Sequence, residues 1–193
     1  MITGHFGLAA AVKSAERQVP LWALMLATVW LDVVFAPLFI AGVEYIEPVP
    51  GTDGGYGQGV IYADYTHSLL GALVIAALTG AVAAWRWNRR SGVAIGAVVF
   101  SHWLLDLVVH RADLPLLPGN LGGLPRLGFG LWQYPWVTVI IEAALLLGGT
   151  LLYWRAASRA ASRPGGSRRT ATLTTVLIAV IGVVTLALDV AGV

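Results

Sequence analysis

The sequence predicts an all-α membrane protein: a bundle of five transmembrane helices with a short re-entrant or interfacial helix at its N-terminal end. Three observations carry that expectation. Of 193 residues, 58% are hydrophobic and 11% charged, with a mean hydropathy of +0.77, well below the charge content of soluble domains. Five stretches, about 20–43, 67–87, 92–110, 131–154 and 171–190, meet the roughly 20 apolar residues that a helix needs to cross ~30 Å of hydrocarbon. The basic residues fall in alternate connections, which is the pattern of a chain threaded back and forth.

Taken in order, residues 1–19 are apolar but precede their charges Lys13, Glu16 and Arg17, the reverse of a cleaved leader. A helix running back from Arg17 at the inner surface climbs ~18 Å by His5, which places that imidazole near mid-bilayer if the segment is re-entrant. The first span, 20–43, has Asp32 at its centre. The connection 44–66 is acidic and glycine-rich, and reads either as a cover over a site or as a flexible connector. The second and third spans are joined by Arg86, Arg89 and Arg90, and the third carries Gly92-x-x-x-Gly96, a close-approach pattern for helix pairs. Residues 111–130, rich in Pro, Gly and Leu, form the other outer connection. The fourth span contains Glu142, read as a helix-pairing carboxylate, and Gly148-Gly149. A basic tether at 155–170 leads to the fifth span, where Asp189 near the far end reads as solvated.

Lys13, Arg17, Arg86, Arg89, Arg90, Arg155, Arg159, Arg163, Arg168 and Arg169 belong to the cytoplasmic side, and only Arg111 and Arg126 to the other. The C-terminus then lies outside. Trp22, Trp85, Trp87 and Trp154 fall near inner span ends, Trp132 and Trp136 near an outer one, and Trp30 and Trp103 at mid-bilayer, where an indole N–H needs a partner. A formal charge of +2, carried by loop arginines, disfavours nucleic acid as a partner. With no cysteine, thiolate chemistry is excluded, and any metal must sit on nitrogen and oxygen ligands. No internal repeat supports a transporter.

The ionisable residues inside the spans are the informative ones, because such groups are costly there and face a bundle interior or a wet cavity. His102, Asp106 and His110 recur every four residues, along one helix face. Counted at ~1.5 Å per residue from the inner boundary, Asp32, His102, Asp106 and His5 share one layer at ~15–21 Å, while His67 and His110 fall ~27–30 Å up. An unwound helix end, a tilted helix or a second ion would close that gap. Imidazoles and carboxylates together suit zinc, manganese or iron. The same groups also read as hydrogen-bonded polar pairs that hold helices together, or as a proton relay.

Gly4-His5-Phe6-Gly7-Leu8-Ala9, Asp32, Thr66-His67-Ser68 and His102-Trp103-Leu104-Leu105-Asp106 together resemble the bacterial LexA-regulated, membrane-bound, metal-dependent hydrolases. The continuation His110-Arg111-x-Asp113-Leu114-Pro115 and Gly130-Leu131-Trp132 is similar to an uncharacterised branch of small membrane proteins. The resemblance spans nearly the whole chain, although Asp32 stands alone where the family has two carboxylates. It implies a bacterial inner-membrane protein and a divalent metal, zinc before manganese or iron, on His5, Asp32, His67, His102 and Asp106. It further implies hydrolysis of a lipid or lipid-linked phosphoester. In that reading His110, Asp64 or Glu44 serves as general acid or base, and Arg111 pairs with the phosphate or caps its helix. The alternative is a non-catalytic membrane protein: a structural metal site, an ion or proton relay, or a subunit of a larger complex.

Overall fold

A computed structural model describes residues 1–52 and 56–191, so the middle of the acidic, glycine-rich connection, 53–55, lies outside the described residues, as do 192–193. Among the described residues, seven α-helices run in the order α1 (Ile2–Ala15), α2 (Leu21–Thr28), α3 (Trp30–Ile40), α4 (Leu69–Arg86), α5 (Arg89–Val109), α6 (Pro135–Ala161) and α7 (Arg168–Ala191). Between α3 and α4 a short antiparallel hairpin pairs β1 (Tyr45–Pro48) with β2 (Gly59–Tyr62), Tyr45 opposite Tyr62. The architecture is an all-α bundle. The helices α4 to α7 are long and apolar enough to cross a membrane, and α2 with α3 makes a fifth candidate span bent by 50°.

The bend departs from the continuous helix predicted for 20–43. It falls at Val29, where φ is −113° and ψ is 16°. The Thr28 carbonyl there turns to the ring of His102, 2.8 Å away, and the Thr28 hydroxyl donates to the His5 carbonyl at 3.0 Å. The break therefore places Asp32 in the first turn of a new helix. The fourth span runs past its predicted end at 154 through Ala161, because Arg155-Ala-Ala-Ser-Arg-Ala-Ala is rich in good helix formers. Part of the expected basic tether is thus helix.

Helix α1 is buried in the bundle rather than interfacial. It packs chiefly along α6, and also against α2, α5 and α7. At 14 residues it rises only ~21 Å, too little to span. Close backbone approach makes this packing work: a Cβ on Gly149 would lie 1.8 Å from the Gly7 carbonyl oxygen, and one on Gly7 2.4 Å from the Leu145 carbonyl oxygen. The predicted Gly92-x-x-x-Gly96 face does the same for α4 and α5, where a Cβ on Gly92 would meet the Gly80 oxygen at 2.6 Å. The apolar core beneath the site is built from small and branched side chains, among them Ala23, Leu24, Ala27, Ala76, Ile95 and Val99.

The two ends of the bundle are knitted separately. At the basic end Arg90 pairs with Glu16 at 2.9 Å and Asn88 donates to Gln18 at 2.7 Å, so the connections expected on one side do meet. At the other end the hairpin and the 110–134 segment are tied together: Ile61 N–H donates to Asp113 at 3.1 Å, and Arg126 grips Asp64 at 2.6 and 2.9 Å. The described residues of 44–66 thus include a hairpin and contacts that tie this end together. Replacing Gly149 by Val should lower the unfolding midpoint in detergent sharply, by the equivalent of about 1–3 kcal/mol. Gly148→Ala, with open space around its position, should leave the midpoint unchanged. Equal effects of the two would show that the α1–α6 approach is not close-packed.

Candidate metal centre

All four histidines of the chain converge on one carboxylate. Asp106, on α5, has Oδ1 3.3 Å from His5 Nε2, and Oδ2 3.0 Å from His102 Nε2, 3.7 Å from His110 Nε2 and 3.8 Å from His67 Nε2. Asp32 approaches from α3, its Oδ1 3.5 Å from both His67 Nε2 and His102 Nε2. The His67 and His102 Nε2 atoms are 3.3 Å apart. The His5 and His102 rings stack at 4.0 Å.

Each residue arrives by a different local device. His102 and Asp106 share a helix face at i and i+4. His5 comes from the first turns of α1. The higher level predicted for His67 and His110 disappears because neither sits within a regular helix. Helix α4 begins at Leu69, two residues later than the predicted start at 67, so His67 lies before it, at the end of a turn in which its N–H donates to the Ala63 carbonyl at 3.0 Å. His110 is the C-cap of α5, with φ −59° and ψ 148°. Both bend back toward Asp106.

Hydrogen bonds on the far side of three of the rings, His67, His102 and His110, orient them. His102 Nδ1 faces the Thr28 carbonyl at 2.8 Å and must donate to it. His110 Nδ1 faces the Asp113 carboxylate at 2.9 Å. The Thr66 hydroxyl spends its hydrogen on Glu44 Oε2 at 2.8 Å, so toward His67 Nδ1, 2.9 Å away, it acts as acceptor. Glu44 is itself held as an acceptor by the Tyr65 and Thr66 backbone N–H groups at 2.7 and 2.9 Å. Beyond those bonds the Nε2 atoms of His67, His102 and His110 all face Asp106, and those of His67 and His102 also face Asp32 and each other, an arrangement that a cation shared among them satisfies.

The spacing fits a metal ion. Four donors bound tetrahedrally at ~2.0–2.2 Å lie ~3.3–3.6 Å apart, and the contacts among His67, His102, Asp32 and Asp106 run from 3.0 to 3.8 Å. Asp32, His67 and His102 form one group able to hold an ion, and His5, His102 and Asp106 a second. The five ligands expected from the sequence are thus brought together. His110, expected as an acid or base, joins the same cluster.

A cavity of about 170 Å³ opens beside the cluster, walled by Phe35, Ile46, Ile61 and Trp132. Asp106 is 4% exposed, whereas the Asp32 side chain is 43% exposed and forms its accessible edge. The other three expected residues lie outside the cavity wall. Glu44 is fully buried behind Thr66. Both oxygens of Asp64 are occupied by Arg126, whose guanidinium that pairing holds above its ordinary pKa. Arg111 donates to the Gly57 carbonyl at 3.2 Å. These three are engaged by the backbone, Thr66 and Arg126 rather than lining the cavity.

Trp132, expected in an outer aromatic belt, is instead buried against His110 at 4.3 Å. Trp103 finds its partner in the His67 carbonyl at 2.9 Å. Glu142 pairs helices as expected, accepting from Gly4 N–H at 3.0 Å, and it also receives the Tyr56 hydroxyl. Burial, then the Glu142 carboxylate, raises the Tyr56 phenol above its ordinary pKa and keeps it a donor. Asp189 is half-buried rather than freely solvated. Sequence reasoning missed Thr28, Thr66 and Asp113 as supports. Thr66 and Asp113 carry a faint signal in their closeness to a histidine, while Thr28 acts partly through its backbone and carries none.

Thr66→Val should weaken metal binding by about 10–100-fold with an unchanged unfolding midpoint in chelator, read by competition with a chromophoric chelator. Unchanged affinity would mean that the Glu44–Thr66 chain does not orient His67. No family model, curated protein or solved structure matches the chain, which leaves the cluster's own chemistry to indicate a function.

Proposed function

We propose that the chain is a membrane-embedded, metal-dependent hydrolase of a lipid or lipid-linked phosphoester, with His5, Asp32, His67, His102 and Asp106 holding a divalent ion. The observation that carries the reading is the inward convergence of the His5, His67 and His102 Nε2 atoms on two carboxylates, with His67 and His102 held from behind by the Thr66 hydroxyl and the Thr28 carbonyl. Zinc suits the donor set and the tetrahedral spacing better than manganese or iron do. The resemblance to membrane-bound hydrolases points the same way.

A divalent ion supplies Lewis acidity and a nucleophile of hydroxide strength at neutral pH. The chain supplies the rest. Asp106 and Asp32 balance the ion's charge, and the exposed side of Asp32 leaves a face open to a reacting group. His110, backed by Asp113, is the nearest imidazole outside the five ligands and the candidate to move a proton. Phe35, Ile46, Ile61 and Trp132 give that face an apolar wall, which suits an ester carried on a lipid.

Protein purified without chelator should contain near-stoichiometric zinc, manganese or iron by elemental mass spectrometry. His102→Ala with Asp106→Ala should abolish it, and Asp32→Asn should reduce it with less risk to folding. Metal-loaded protein should release phosphate or alcohol from a panel of phospholipids and lipid phosphates. Absence of metal overturns the reading, whereas metal without turnover leaves the non-catalytic alternative. The same reading puts the basic end in the cytoplasm and the cluster toward the outside of a bacterial inner membrane. In this cysteine-free chain, Leu121→Cys should react with an impermeant maleimide in intact spheroplasts and Ser162→Cys only after lysis. The reverse pattern would invert the orientation.

A further inference from the structure

Away from the histidines, at the basic end of the bundle, a groove of about 550 Å³ lies between the C-terminal turn of α1 and the α6–α7 connection. We propose that it binds the phosphate headgroup of an anionic membrane phospholipid.

Depth is the first argument. Counting from Pro135, residue 155 of α6 lies ~30 Å along the helix, where the hydrocarbon ends. The α6 side chains that line the groove, from Tyr153 to Ala161, therefore sit at headgroup level, with Tyr153 in the place an interfacial aromatic ring prefers.

Charge is the second. Among the twelve Lys and Arg residues, ten fall at this end, yet only Glu16 of the ten acids does, and Arg90 already pairs with it. Lys13 and Arg17 line the groove, and none of its described lining residues is acidic. Lys13 Nζ donates to the Arg17 and Val19 carbonyls at 3.0 and 2.7 Å, so it is fixed in position with one of its three N–H donors left over. Arg17 is exposed and offers a forked guanidinium.

Shape is the third. Ala156, Ala157, Ala160 and Ala161 make a flat floor without long side chains, and Ser167 and Thr170 supply hydroxyls at the far wall. A phosphodiester could rest on the alanines while its oxygens meet Lys13, Arg17 and the hydroxyls, its acyl chains continuing down the lipid-facing side of α6. Basic pockets between helices at the cytoplasmic surface recognise anionic headgroups by this chemistry. Diffuse attraction of the ten cations to an anionic leaflet would need no groove, and the test separates the two.

Full-length protein in an uncharged detergent would be titrated with phosphatidylglycerol, phosphatidylcholine or inorganic phosphate, reading the unfolding midpoint and lipid adducts by native mass spectrometry. Phosphatidylglycerol should raise the midpoint saturably and survive as a single adduct, and the zwitterionic lipid should do neither. Arg17→Gln should weaken binding by about tenfold. Ala157→Leu, which fills the floor without changing charge, should weaken it similarly. Arg89→Gln, an exposed cation at the same end but outside this lining, should not. Equal loss in Arg17→Gln and Arg89→Gln, or no loss in Ala157→Leu, would overturn the site in favour of diffuse attraction. Saturation by inorganic phosphate alone would overturn the lipid as its ligand.

Discussion

The structure depends on keeping one carboxylate, Asp106, out of water in the middle of a membrane bundle. An ionised group there costs several kcal/mol unless its charge is met, and this chain meets it with every imidazole it has. Regular helices could not deliver all four. The periodicity of α5 puts only His102 and His110 on the Asp106 face, His110 arriving as its C-cap, so His5 and His67 come from other places where regular structure starts: the first turns of α1 and the non-helical approach to α4. The bend at Val29 belongs to the same set. It hands the Thr28 carbonyl to His102 and turns Asp32 toward His67 and His102. Helix breaks are tolerated at membrane depth where the freed backbone groups find partners or line a cavity, and each break here does one or the other.

Helix α1 is what makes the cluster and the fold one problem. It touches α2 and α5 on one side and α6 and α7 on the other, and so joins the part of the bundle that carries His102 and Asp106 to the part that carries Glu142. Between apolar helices in lipid, the hydrophobic effect contributes little, and close packing and buried hydrogen bonds must hold them. The Gly7–Gly149 approach supplies the packing. The bonds are Gly4 N–H to Glu142, the Thr3 hydroxyl to the Gly182 carbonyl at 3.1 Å and the Thr28 hydroxyl to the His5 carbonyl. Glu142 answers the free N–H groups and positive end of the α1 dipole with a buried negative charge. Tyr56 adds a tie from the outer cap, so the hairpin that walls the cavity is fastened to the helix that brings in His5.

Much of this was legible in the residues. Hydropathy and alternate basic connections gave the spans, because both follow from the thickness and dielectric of the bilayer and need no tertiary information. The His102–Asp106 pair was legible because helix periodicity puts i and i+4 on one face. Heights counted along ideal helices misplaced His67 and His110, since nothing local marks His67 as lying before its helix or His110 as leaving the helical path at the C-cap of α5. The partners of Glu44, Asp64 and Arg111 were not legible for a related reason. Nearness in sequence to a cluster residue says a group is close, and only the fold says whether it faces the cavity or supports the wall. Trp132 shows the same limit: its position near a span end suits a lipid belt, but the turn at Gly130-Leu131-Trp132 folds it inward over His110.

The two carboxylates of the cluster have opposite surroundings, and that asymmetry bears most directly on what the cluster can do. Asp106 is enclosed and touches all four imidazoles, so it is the anchor around which a bound ion would be centred. Asp32 touches two, stands at the first turn of a helix that begins at a bend, and has nearly half its side chain open to the cavity. A purely structural centre is best served by enclosing every donor, because an open face admits water that competes for the ion. Here the enclosed half is reinforced from behind by Thr28, Thr66, Glu44 and Asp113, while the open half faces a cavity walled by Met1, Ile2, Phe35, Trp132 and the hairpin residues Ile46 and Ile61. Rigidity on one side and access on the other is the division of labour a reactive centre needs.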